Sequence, residues 1–216
     1  MFQLDPATLI ARVIVLIIAF TIHELAHAWV ATSFGDETPR MNGRLTLNPL
    51  AHLDPMGSLL LLFAGFGWAK PVPVNPFVLE RSSPAAMMWV SLAGPFSNLL
   101  MAIVAAIPFR MGLASVMQAF VPTEGILPSF SKILVEFISI NLLLMLFNLI
   151  PLAPLDGEKI ADYFLPPSMA RVFENIRPYG PMILIVLVLV APMFGVDIIG
   201  WIIMPPLQAL FGLLVG

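Results

Sequence analysis

The sequence predicts an all-α polytopic membrane protein with about five transmembrane helices. Three observations predict it. Of 216 residues, 59% are hydrophobic and only 11% charged, with a mean hydropathy of +0.96, far from the balance of a soluble domain. Apolar stretches long enough to cross about 30 Å of hydrocarbon recur along the chain. Twenty-one prolines and fourteen glycines interrupt them, which membrane helices tolerate where neighbouring groups re-satisfy the backbone.

The first expected span, Pro6–Phe34, opens at Asp5-Pro6, a capping carboxylate before a proline at the first helical position. No basic run precedes it and it carries the candidate site, so it reads as a retained helix rather than a cleaved signal peptide. In Thr38–Leu50, Asn42-Gly43 is a tight-turn pair and Arg44-Leu45-Thr46-Leu47-Asn48 alternates polar with apolar. That pattern predicts a short membrane-associated β-hairpin. Gly57–Ala69 is apolar but would reach only about 20 Å as a helix, so a re-entrant or interfacial segment is expected there. Pro84–Pro108 repeats the cap-then-proline start at Ser83-Pro84, and Ser129–Ile150 follows. Pro181–Phe194, extended somewhat at its ends, and Ile198–Val215 complete the set, with breaks expected near Pro192 and Pro205-Pro206. The chain reads as one integral-membrane domain, 1–216, with its core over about 6–160 and two accessory spans over about 178–216.

Five crossings would put the loops at 35–83 and 151–180 on one side, with Arg40, Arg44, Lys70, Arg81, Lys159, Arg171 and Arg177, and leave only Arg110 in the loops opposite. The positive-inside bias assigns the richer side to the cytosol. An N-terminus outside, a C-terminus in the cytosol and a prokaryotic cytoplasmic membrane are therefore expected. A net charge of −3 without a basic cluster argues against nucleic acid as a partner, and the absence of cysteine excludes disulfides and thiolate metal ligands.

His23-Glu24-Leu25-Ala26-His27 lies inside the first apolar stretch. On a helix, HExxH sets two imidazoles one turn apart on one face, the spacing a single zinc ion needs. The carboxylate between them can take a proton from a water activated there. Such groups are costly in hydrocarbon without partners, so a functional role accounts for them best. A hydrolytic zinc site wants a third protein ligand, and the candidates are Asp156 and His52. Pro151 and Pro154 prevent a regular helix in Asn148-Leu-Ile-Pro-Leu-Ala-Pro-Leu-Asp156-Gly157, leaving backbone that can aim one carboxylate at a metal. Asp156 is the expected ligand. His52, in the polar stretch Leu50–Pro55, is expected beside the ligands or facing the substrate. Asn98, just after Gly94-Pro95, is expected to bridge helices or support a ligand. On a helical wheel, Arg12 shares the face of His23 and lies at the depth of Glu136, which predicts a contact between the first and third long helices.

Taken together, His23-Glu24-Leu25-Ala26-His27, Ala93-Gly94-Pro95-Phe96-Ser97-Asn98 and the run from Asn148 to Gly157 resemble the site-2 protease family of intramembrane zinc metalloproteases. Gly43–Gly57 and Gly67–Asn75 are similar to stretches in its short members, which lack PDZ or CBS domains, and the likeness covers about residues 6–160. It implies one zinc ion per chain held by His23, His27 and Asp156, Glu24 as general base, and a catalytic role for Asn148, whose amide is placed to bond a developing oxyanion. It implies a transmembrane protein substrate cut within or near its membrane helix, in a lipid bilayer. Two alternatives stay open on the residues themselves. One is a non-proteolytic transporter or metal-binding membrane protein; the other is a membrane zinc protease acting on protein tails.

Overall fold

The computed structural model describes residues 5–54, 56–57, 68–121 and 125–216. Its principal helices are α1 (Pro6–Ser33), α2 (Ala86–Arg110), α3 (Phe130–Asn148), the short α4 (Asp156–Phe164), α5 (Ser168–Phe194) and α6 (Ile198–Val215). All but α4 are long and apolar enough to cross a membrane. Asp5 caps α1 as expected, its carboxylate accepting the Thr8 N–H at 2.9 Å and the Thr8 hydroxyl at 2.7 Å. Most of the Gly57–Ala69 stretch, with Gly65 and Gly67, lies outside the described residues.

The buried face of α1 is one ridge at four-residue steps: Ala7, Ala11, Val15, Ala19, His23, His27 and Ala31. Such rows are natural ridges of an α-helix, and small side chains let helix backbones approach closely where lipid gives no hydrophobic drive to association. The two histidines occupy two places in that ridge, so the packing that joins the helices also delivers the imidazoles inward. α2 runs antiparallel to α1, His27 meeting Val90 and His23 meeting Asn98. α3 runs parallel to α1, since Asp5 pairs with Lys132 and Arg12 with Glu136. Ala102, Ala106, Phe109, Ile138, Leu142 and Met145 form the core between α2 and α3.

Arg12 Nε donates to Glu136 Oε2 at 3.0 Å, the contact the wheel position predicts. Because the Arg12 side chain is 42% exposed, a coupling of about 0.2–1 kcal/mol is expected. A double-mutant cycle with Arg12→Met and Glu136→Gln on thermal stability in detergent measures it, and strictly additive shifts would show the pair to be energetically silent.

The expected β-hairpin over Thr38–Leu50 does not form. Thr38–Met41 is one helical turn, Gly43 turns the chain at φ 66°, and Pro49–Ala51 is a 3-10 turn. Among the described residues the β pairing is limited to an isolated antiparallel bridge between Leu53 and Ala69. The alternation in Arg44–Asn48 misleads because Arg44 points inward, 5% exposed, and because His52 Nε2 bonds the Thr46 carbonyl at 2.9 Å. An edge free for strand addition is therefore not built there.

The placement of the carboxyl terminus is also corrected. Arg110, at the end of α2, donates from Nε to the Leu214 carbonyl at 2.8 Å and from Nη2 to that of Leu213. The end of α6 thus sits at the same end of the bundle as Asp5, away from the histidines. Five complete crossings would separate the two chain ends. α5 breaks that count, because its middle packs at the histidine end of the bundle. Arg177 bonds Glu158 at 2.6 Å and Asp162 at 3.2 Å, and a Cβ at Gly180 would strike Ala153. α5 is also irregular, passing through 3-10 turns at Arg177–Tyr179 and Ala191–Phe194 and π turns at Val186–Val190. Its first half, with α4, makes helical much of what reads in the sequence as a loop at 151–180.

Candidate metal centre

His23 Nε2 and His27 Nε2 lie 3.0 Å apart, and each is 3.3 Å from Asp156 Oδ2. An ion with tetrahedral ligands at about 2.0–2.1 Å has ligand–ligand edges of about 3.3–3.4 Å. Two edges match and the third is slightly short, so the three donors fit one zinc ion. Asp156 Oδ2 is buried without a hydrogen-bond partner, as an atom reserved for a cation would be. Gly94 of α2 completes the cradle, since a Cβ there would collide with His27 Nε2 and with Cε1 and Nε2 of His23. Gly94→Ala is therefore expected to lower zinc affinity by at least about 10–100-fold, the range for disturbing a ligand's surroundings, while helix content stays intact. Metal analysis and circular dichroism check this, and unchanged zinc affinity would contradict the close packing.

Hydrogen bonds behind the imidazoles set which nitrogen faces the cluster. His27 Nδ1 is 2.7 Å from the Val90 carbonyl; a carbonyl can only accept, so Nδ1 carries the proton and Nε2 presents its lone pair. His23 reaches a carbonyl through two amides. Asn141 Nδ2 donates to Phe137 O at 2.8 Å, which turns Asn141 Oδ1 to accept from Asn98 Nδ2 at 3.2 Å. Asn98 Oδ1 then accepts from His23 Nδ1 at 2.8 Å. The fixed polarity of one backbone carbonyl thereby sets the tautomer of a histidine two side chains away. Asn98 takes the supporting place expected of it. Asn141, 0% exposed, was not anticipated, although an amide in the apolar run of α3 is itself a signal.

Asp156 begins α4, and Gly157 beside it lets the chain fold back on α3, where a Cβ would meet the carbonyls of Leu149 and Ile150. Asp156 Oδ2 faces the Nε2 atoms of both histidines, and a carboxylate that ligates a metal does so in its deprotonated form. Glu24 is buried next to His23, and its Oε2 accepts the Val72 N–H at 3.1 Å. Among the described residues, the group of metal-ligating atoms is His23, His27 and Asp156, without Glu24 or His52. His52 is fully buried, its Nε2 engaged with Thr46 O at 2.9 Å and its Nδ1 without a hydrogen-bond partner. Asn148 ends α3, one amide hydrogen directed to Leu144 O at 3.0 Å. The Val72 N–H and Val90 carbonyl had no counterpart in the sequence reading, since backbone groups carry no side-chain signature.

Comparison with known proteins points to zinc chemistry as well. The chain is 46% identical over 179 residues to a Bacillus subtilis protein named "Putative zinc metalloprotease YwhC", covering 81% of this chain and 78% of that one. Rip2 of Mycolicibacterium smegmatis and Rip2 of Mycobacterium tuberculosis, which carry the same designation, are each 30% identical, over 80% and 83% of this chain and 64% and 66% of their own lengths. No family model and no solved structure matches. With three donors that fit one zinc ion and this identity over most of both chains, the protein belongs to the zinc metalloprotease family that includes YwhC and Rip2, and it is an enzyme of that class.

Proposed function

We propose that the protein is an intramembrane endopeptidase of the site-2 protease type, hydrolysing a peptide bond within or near a substrate's transmembrane helix. The observation that carries this reading is the position of the ligands. His23 and His27 lie in the buried ridge of a 28-residue apolar helix, packed against two further helices of spanning length. One zinc ion per chain, held by His23, His27 and Asp156, would supply a Lewis acid able to polarise a carbonyl and acidify water. Glu24 would take a proton from the attacking water as the water oxygen bonds to the scissile carbon, and would return it to the amine nitrogen as the C–N bond breaks. Asn148 Nδ2 carries two hydrogens, and the one not directed to Leu144 is the donor we assign to the oxyanion. A helical substrate hides its carbonyls in its own bonds, so it has to unwind locally before attack. Arg40, Arg44, Lys70, Arg81 and Lys159 gather at the metal end, which supports a cytosolic placement of that end, with Asp5 and the end of α6 outside.

The test is cleavage of labelled transmembrane peptides by purified protein, with and without a chelator and zinc add-back. Zinc-dependent cuts inside or beside the apolar segment support the reading. Cleavage confined to soluble tails of the same peptides, or metal-dependent binding without cleavage, would replace it.

A further inference from the structure

We infer that the proline-rich strap Lys70–Asn75 holds the Glu24 carboxylate in working orientation, and that Arg44 and Asp36 are positioning residues acting through this strap. The inference rests on Glu24 being the general base. Lys70-Pro71-Val72-Pro73-Val74-Asn75-Pro76 is stiff by composition. Pro71 and Pro73 have φ fixed near −65°, while Lys70, Val72 and Asn75 each precede a proline and are driven to extended backbone. Between Lys70 and Asn75 the prolines leave N–H groups on Val72 and Val74 alone. The Val72 N–H is the one that meets Glu24 Oε2, at 3.1 Å. Such a segment cannot adjust residue by residue, so its two anchors decide where that donor sits.

Both anchors are buried ionic side chains bonded to backbone. Arg44 donates from Nη1 to the Ala51 carbonyl at 2.6 Å and the Lys70 carbonyl at 3.1 Å, and from Nη2 to the Pro71 carbonyl at 3.2 Å. The rigid fork of the guanidinium suits this, because several donors leave one plane in fixed directions. The Lys70 N–H adds a bond to His52 O at 2.7 Å, next to the Leu53–Ala69 bridge. At the other end Asp36, 1% exposed, accepts the Asn75 N–H at 2.6 Å and the Thr38 N–H at 3.0 Å. The strap is thus pinned before and after Val72. Holding Oε2 on a backbone donor restrains the carboxylate from turning toward the three metal-site donors beside it and leaves Oε1 to receive the proton.

The experiment measures kcat, KM and zinc content of the full chain in detergent on a transmembrane peptide, for Val72→Pro, Arg44→Met, Arg44→Lys and Glu24→Gln. Val72→Pro deletes one N–H from an extended site, and is expected to lower kcat about tenfold or more, with KM within about twofold and zinc unchanged. Arg44→Met should behave alike, and Arg44→Lys, which keeps a donor for the carbonyls, should recover part of the loss. If Val72→Pro fails to fold, the Arg44 pair decides. Wild-type kcat in Val72→Pro or Arg44→Met overturns the proposal, as does a rise in KM at unchanged kcat or a loss of zinc from either. Those outcomes leave an inactive, zinc-loaded Glu24→Gln standing, whereas full activity in Glu24→Gln would remove the base assignment and the strap's role together.

Discussion

Glu24→Gln is expected to retain zinc and fold while cleavage falls by about 10²–10⁴-fold, the range that positioned general acid–base groups contribute. The substitution is nearly isosteric, and the amide oxygen can still accept the Val72 N–H that Glu24 Oε2 holds at 3.1 Å. What it cannot do is take a proton from water and return it to a leaving amine. His23 and His27 keep their own supports, Asn98 and the Val90 carbonyl, so the ligand nitrogens remain aimed. The measurement pairs metal analysis with cleavage of a transmembrane peptide. Zinc-loaded protein that cleaves at near wild-type rate would sink the assignment.

Asp156→Ala should fail for the opposite reason. With Oδ2 removed, two imidazole nitrogens remain on the cradle, too few for a stable hydrolytic site. Zinc affinity should drop by more than about 100-fold, beyond what disturbing a ligand's surroundings costs. The thermal stabilisation that zinc confers on the folded state should vanish with it. His52→Ala is the control, since His52 is engaged with Thr46 O and is absent from the ligand group; zinc is expected to stay. Retention in Asp156→Ala with loss in His52→Ala would reverse the choice of third ligand.

What the sequence made legible was chemistry in side chains at helical spacing. The His23–His27 pair is local to one helix, and a carboxylate just beyond Pro151 and Pro154 can be aimed inward, so the cluster that could hold a metal was readable before any fold was known. Arg12 and Glu136 were legible because a charge within a membrane helix needs a partner. Asn98 was placed correctly, but its continuation through Asn141 to Phe137 O depends on how α2 and α3 face each other. Gly94 reads as a packing glycine; only the antiparallel approach of α2 to α1 shows that the space it leaves belongs to the ligand nitrogens. The hairpin failed because five alternating residues are a weak signal beside one buried guanidinium that collects three carbonyls. The sidedness of α6 failed because hydropathy measures length, and the path of α5 is set instead by its contacts with Glu158 and Ala153.

The neutral groups behind the histidines also bear on which ion the site accepts. Each imidazole is oriented by an uncharged acceptor, Val90 O for one and the amide pair ending at Phe137 O for the other. Metal-binding histidines elsewhere are often backed by a carboxylate; here the carboxyl groups are Asp156 within the cluster and Glu24 beside it. With both as carboxylates the formal charge would be two negatives, which a divalent cation would cancel, while a monovalent or trivalent ion would leave one unit uncompensated. In water that residue would be trivial, but in a low-dielectric bundle an unbalanced unit charge is penalised steeply. Electroneutrality would thus act as a filter on valence, working alongside the near-tetrahedral spacing of the donors, which suits zinc. A carboxylate in place of Asn98 would strengthen the hold on His23 and at the same stroke tip that balance by one charge.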